Sequence, residues 1–282
     1  MPRAIDVHVH LNSAAFHAAG GACLEHAVQA FGGRIAPQSV DEQAAVYRAA
    51  DVQAVLLGWG GGAGRPGIPN QAIAEAVREH PDVFVGFAGV DPLAPTAVAD
   101  LTAAVERLGL RGLKVHPSAQ AFRPDDPRCF PLWERCAALG VPVLAHSGTT
   151  AWGAGGPGGD GVELAYSRPI YWDTVAARLP GLTLIAAHFG WPWTDELVAM
   201  AMHKPNVYVD LSGWAPRYWP ATLLPWLRTR LQDKCLFGSD YPFLAPTRWL
   251  DEFAALDLPE AVRQKILLDN ARRVLSASSA EC

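Results

Sequence analysis

At 282 residues the chain has room for one large domain or two average ones, and with half its residues apolar and 18% charged it can bury a large core rather than remain disordered. The net charge of −5 offers no electrostatic reason to bind nucleic acid or an anionic membrane, and no apolar run approaches the roughly 18 residues that a membrane span requires. Five cysteines (Cys23, Cys129, Cys136, Cys235 and Cys282) without a CxxC spacing read as free thiols filling apolar space, neither nucleophiles nor ligands.

The N-terminus passes from Met1-Pro2-Arg3 straight into an apolar strand over 4–10, with no apolar leader segment, so a cytoplasmic protein is expected. Residues 11–38 form a long connection with room for a short inserted helix, placed at Leu24–Phe31. Ser39 followed by Glu42 predicts a capped helix reaching Ala50. Strands over 52–58, 83–90, 110–116 and 141–147 then alternate with helices over 70–80, 96–108 and 131–139. The glycine-rich stretch 148–168 is too long for a simple connection and is expected to act as a lid. Beyond it come helix 170–179, strand 182–188, helix 194–203, strand 206–212, helix 221–231, strand 234–240 and a final helical pair across 247–275.

Several strands are almost wholly apolar, as in Val52-Gln53-Ala54-Val55-Leu56-Leu57, the pattern of parallel strands covered on both faces. Eight strand–helix alternations are what closes a (β/α)₈ barrel, and a single α/β TIM-barrel domain over 1–282 is the expected fold, distorted by the insertions after strands one and five. An open doubly wound sheet is the alternative, weakened by the lack of a glycine-rich phosphate loop after the first strand.

The chemistry-bearing residues fall at strand ends. His8 and His10, two apart on one strand, share a face, and imidazole is a common ligand for zinc-like metals. A pair of buried, hydrogen-bonded histidines would look the same. His116, His146, His188 and Asp240 close strands four, five, six and eight, so five of eight strands finish in histidine or aspartate while their interiors stay apolar. In a barrel these ends converge on the face where catalysis resides. Asp240 has the alternative of capping a helix after Gly238-Ser239, and His80 and His203 stand where they would cap helix carbonyls.

The runs Asp6-Val7-His8-Val9-His10, Gly112-Leu113-Lys114-Val115-His116-Pro117, Val143-Leu144-Ala145-His146-Ser147-Gly148, Ala187-His188-Phe189-Gly190, Asn206–Ser212 and Leu236-Phe237-Gly238-Ser239-Asp240-Tyr241-Pro242 resemble, in order and over nearly the whole chain, the amidohydrolase-related (amidohydrolase 2) branch of the amidohydrolase superfamily. That branch contains hydrolases and non-oxidative decarboxylases. The resemblance implies one divalent metal held by His8, His10, His146 and Asp240, with His188 as the acid/base beside it. Zinc suits the mixed nitrogen and oxygen set best, with manganese or iron as alternatives. Asp240 would also accept a proton. Lys114 has two readings, a carboxylated bridge to a second metal or a lysine that neutralises a substrate carboxylate, and His116 is expected to orient substrate. Trp152, Arg168, Trp214 and Arg217 are further candidates for holding a planar, carboxylate-bearing molecule.

The function expected first is a metal-dependent hydrolase in which metal-activated water attacks a lactone, amide, thioester or C–C-linked carbonyl of a small, possibly aromatic-derived acid. A decarboxylase of an aromatic or unsaturated acid is the alternative, and a catalytically silent metabolite-binding barrel a third reading. The expected partner is a small-molecule substrate, with a homodimer expected on resemblance and base rates.

Overall fold

The computed structural model describes residues 2–30 and 33–276. Eight parallel strands run β1 (Ala4–His10), β2 (Val52–Leu57), β3 (Phe84–Gly89), β4 (Leu113–Val115), β5 (Val143–Ala145), β6 (Leu184–Ala186), β7 (Val207–Asp210) and β8 (Cys235–Leu236). They pair in chain order, each with the next, as right-handed β/α crossovers dictate. The sheet closes on itself: Val7 N donates to Phe237 O at 2.9 Å, Asp240 N to His8 O at 2.9 Å and His10 N to Tyr241 O at 2.8 Å. The molecule is therefore the expected barrel, not an open sheet.

The helices are α1 (Ala14–Ala30), α2 (Val40–Ala49), α3 (Asn70–Glu79), α4 (Ala97–Glu106), α5 (Pro117–Gln120), α6 (Phe130–Ala138), α7 (Tyr171–Arg178), α8 (Thr194–His203), α9 (Leu223–Arg228), α10 (Pro246–Ala254), α11 (Glu260–Gln264) and α12 (Asn270–Ser276). Ser39 and Glu42 start α2 with a reciprocal capping box, Ser39 N donating to Glu42 Oε2 at 2.8 Å and Glu42 N to Ser39 Oγ at 3.2 Å. The helix inserted after β1 is longer than expected: α1 begins at Ala14, ten residues before the predicted start, and kinks at Gly21. Its many alanines and glycines carry a helix without the strong apolar periodicity that marks the others. The expected end at Phe31, and Cys282, lie outside the described residues.

The later strands are shorter than their apolar runs. Val141 and Leu182 are buried without belonging to the ladder, because hydrophobic runs record burial and not backbone pairing. Inside the barrel, Ile5, Val7, Val55, Leu57, Phe87, Leu144, Ile185 and Leu236 pack together, and Leu268, Ala271, Val274 and Leu275 from the C-terminal helical segment close that core. A second apolar layer lies between strands and helices, with Trp133, Trp172 and Trp249 all fully buried there. His80 does not use its ring to cap carbonyls; the ring stands 2.9 Å from Asp41 and 3.0 Å from Arg48. Among the described residues no helix is long and apolar enough to cross a membrane.

Candidate metal centre and its surroundings

The first strand delivers two histidines to the mouth by breaking its own alternation. Ile5 and Val7 belong to the barrel interior, so regular pleating would send Val9 there as well. Val9 instead joins Ala4 in the layer beneath the helices, and the register with β2 shifts between Asp6 and Val9. That irregularity turns His8 and His10 inward. Asp6 holds it in place. Its Oδ1 accepts from His8 N at 3.1 Å and Ser239 N at 2.9 Å, and its Oδ2 accepts from Ser239 Oγ at 2.5 Å and Tyr47 OH at 3.1 Å. Burial pushes Asp6 up to about 7 against these donors.

His8, His10 and Asp240 each place one ligand-capable atom within 4.8 Å of the others. Asp240 Oδ1 lies 3.2 Å from His10 Nε2 and 3.4 Å from His8 Nε2. Asp240 adopts φ 70, a left-handed conformation that an aspartate enters at some cost, as residues at functional sites often do. His8 is oriented from behind: its Nδ1 lies 2.6 Å from Asp210 Oδ2. Asp210 also accepts from Ser212 Oγ at 2.7 Å and Ser212 N at 3.0 Å. A carboxylate at Nδ1 places the ring proton there and leaves the Nε2 lone pair facing the mouth, the orientation found behind metal-ligating histidines. Gly238 makes the arrangement possible, since a Cβ there would fall 2.1 Å from Asp210 Oδ1.

His188 follows β6 at φ 59, and its Nδ1 lies 3.0 Å from the Ser212 hydroxyl. Because that hydroxyl donates to Asp210, it accepts from His188 Nδ1–H, which leaves Nε2 as the free nitrogen of His188. Gly213 is required beneath the ring: a Cβ would sit 2.4 Å from His188 Nδ1, at a backbone φ of +77. Burial holds His188 down to about 4, with the Asp240 carboxylate opposing the shift. Burial likewise drives His8, His116 and His146 well below the ordinary imidazole range, with Lys114 and neighbouring histidines adding to the effect. Neutral imidazoles are the form that can ligate a cation. Lys114 is lowered to about 8 by burial, against Asp240 and Asp210, and Asp210 is raised by its own burial.

The other candidates are distributed unevenly. His146 stands outside the compact three-residue set; its Nε2 lies 3.1 Å from Thr149 O, and its ring stacks on His116 at 3.8 Å and meets His188 at 4.6 Å. His116 has both nitrogens engaged by protein, Nδ1 accepting from Ala119 N at 3.2 Å and Nε2 lying 3.1 Å from Thr150 Oγ1. Trp152 packs against Trp59 at 5.0 Å, and its buried indole nitrogen has no hydrogen-bond partner among the described residues. Trp214 lies against Trp191 and Phe189. Arg168 and Arg217 are bound at 2.5 Å and 2.7 Å by Glu196 and Glu252, outside the His8–Asp240 set. The loop after β5 is tied across the rim, by Asp160 to His26 at 2.8 Å and by Arg65 to Asp160 O at 3.1 Å.

Asp6, Asp210, Ser212 and the aromatic groups Phe16, Trp59 and Phe243 stand at the site without being singled out by the sequence alone. Asp210 ends β7 and belongs to the same strand-end pattern as the histidines, so its signal was present. Phe16, stacked on His10 at 5.3 Å, and Phe243, edge-on to it at 6.4 Å, carry no signal that separates them from core residues.

The family model described as Amidohydrolase matches residues 5–276. A 2-amino-3-carboxymuconate-6-semialdehyde decarboxylase from Dictyostelium discoideum is 26% identical over 73% of this chain and 65% of its own length, so the match spans less than two thirds of that relative. A gamma-resorcylate decarboxylase from a Polaromonas strain is 26% identical over 73% of this chain and 74% of its own. Among solved structures, an uncharacterised TIM-barrel protein from Bordetella bronchiseptica superposes with a TM-score of 0.80 at 25% identity, covering 98% of this chain and 99% of that one.

Proposed function

We propose that this chain, which belongs to the amidohydrolase family by the match over residues 5–276, is a metal-dependent decarboxylase of an aromatic or unsaturated acid. The observation that carries the reading is the meeting of His8, His10 and Asp240 within 4.8 Å beside a buried neutral histidine, His188. The choice of reaction is supported by the curated relatives at 26% identity, both named as decarboxylases. The hydrolase expected first from the sequence has no comparable support.

In this reading His8, His10 and Asp240 hold one divalent ion, with His146 the fourth group toward it, and zinc suits the set, with manganese or iron also compatible. The ion would supply Lewis acidity toward the substrate's oxygen atoms. The bond between ring carbon and carboxylate breaks, its electron pair stays on that carbon, and a proton takes the place of departing CO₂. That proton comes from solvent or from the substrate's own acidic groups, taken up at the bare Nε2 of His188 or at Asp240 and passed on to the carbon. His188 is suited to the task because Ser212 fixes its Nδ1 and frees its Nε2. The Phe16, Phe243, Trp59 and Trp152 rings give the mouth apolar, planar walls that fit an aromatic or conjugated skeleton.

The test is elemental analysis of protein purified without added metal, followed by a panel of hydroxybenzoates and unsaturated diacids with released CO₂ measured as bicarbonate. About one ion per chain and one CO₂ per product molecule is the expected result. Product formed without CO₂ would return hydrolysis to the front. Protein that neither carries nor takes up metal would remove the basis of the proposal.

A further inference from the structure

Lys114 is a buried charge that this reaction scheme leaves unused. It lies on β4 at 3% exposure, and its Nζ donates to His8 Nε2 at 3.1 Å. His8 has no second nitrogen to offer, because Nδ1 is committed to Asp210. The nitrogen through which His8 could bind a metal is thus the acceptor that now satisfies the ammonium. Among the described residues no carboxylate forms an ion pair with Lys114. An ammonium brings three donors and a full charge, and here the Asp240 and Asp210 carboxylates act on it only from beyond ion-pair distance, so its burial is incompletely compensated.

We infer that Lys114 is the substrate-anion anchor of this pocket: a metal held through His8 Nε2 would compete with the ammonium for that lone pair and leave it to pair with an anionic oxygen of the bound acid. The inference rests on the acid-decarboxylating reading of the same site. Two acceptors compete for one lysine: the metal removes His8 from it, and the substrate replaces what was lost. The oxygen held is one that stays with the product, a phenolate or a second carboxylate. Pairing with the departing carboxylate would be lost as neutral CO₂ forms and would stabilise the ground state over the transition state. This role is distinct from a carbamylated lysine bridging two ions, which would make Lys114 a ligand rather than a competitor for a ligand.

The experiment compares wild type, Lys114→Met, Lys114→Gln and His8→Ala, all stripped of metal. Zinc binding is read by competition with a chromophoric chelator. Binding of benzoate and 2-hydroxybenzoate to the zinc-loaded proteins is then read by tryptophan fluorescence. Removing the ammonium should tighten zinc binding about tenfold, whereas His8→Ala weakens it. Wild type should prefer 2-hydroxybenzoate to benzoate by about tenfold, and Lys114→Met should lose that preference. Lys114→Gln retains a donor for His8 Nε2 without the charge, so it should also lose the preference and keeps the test open if the methionine variant does not fold. The inference is overturned if zinc binding weakens in both lysine variants, if wild type binds two zinc ions and the variants one, or if the ligand preference survives the loss of the charge. None of these readouts needs turnover. Absence of CO₂ release with these results intact would defeat the decarboxylase reading while leaving the anchor standing.

Discussion

Asp210→Asn probes the support behind the centre. The carboxylate receives three donors: His8 Nδ1 at 2.6 Å, Ser212 Oγ at 2.7 Å and Ser212 N at 3.0 Å. An amide of the same shape cannot replace it in either orientation. With its NH₂ toward His8, the ring must become an acceptor at Nδ1 and carry its proton on Nε2, where a metal would bind. With its oxygen toward His8, the NH₂ faces the Ser212 N–H, donor against donor. Outer-shell groups of this kind change metal affinity by about 10- to 100-fold, or about 1.4–2.8 kcal/mol. Loss of hydrogen bonds to a charged acceptor costs about 1.5–3 kcal/mol each in stability. Chelator competition should therefore show zinc binding weakened at least about tenfold, and urea denaturation should show a lower midpoint with an unchanged slope. Zinc affinity within about twofold of wild type would refute the claim that Asp210 sets the His8 tautomer.

Three further outcomes are expected. His188→Asn should retain metal and lose turnover, whereas Asp240→Ala should lose both; full activity in His188→Asn, measured beside its metal content, would remove that residue from the reaction. Asp6 is raised from 3.8 to about 7, so the stability its protonated form contributes is complete below about pH 4 and is lost as pH rises through about 7. That amounts to something on the order of 4 kcal/mol across the window, and the wild-type-minus-Asp6→Asn difference in unfolding free energy should follow it; a flat difference between pH 4 and pH 8 contradicts the shift. Ser39→Ala removes the hydroxyl that accepts from Glu42 N and should cost about 1 kcal/mol with metal binding intact, as read by thermal unfolding.

Much of this molecule is legible along the chain because its signals are local. Alternating apolar strands and helices specify a barrel when repeated eight times, and the capping box at Ser39 and Glu42 involves residues three apart. Ending strands in His8, His10, His188 and Asp240 points to one rim, since parallel strands of a barrel share a C-terminal face. What the chain does not display is which side chains meet once the barrel closes. The parity of His8 and His10 depends on a register shift against β2, held by Asp6 through contacts reaching to Ser239, 233 residues away. Arg168 and Arg217 suit a carboxylate as residue types, and it is helices α8 and α10 that bring the carboxylates of Glu196 and Glu252 to them. Asp210 and Lys114 acquire their roles from opposite sides of the barrel, by converging on the two nitrogens of one imidazole. Residue type and strand position are properties of the sequence, whereas hydrogen-bond partnership between strands is set by barrel closure, and it is that partnership which decides how each nitrogen of His8 is used.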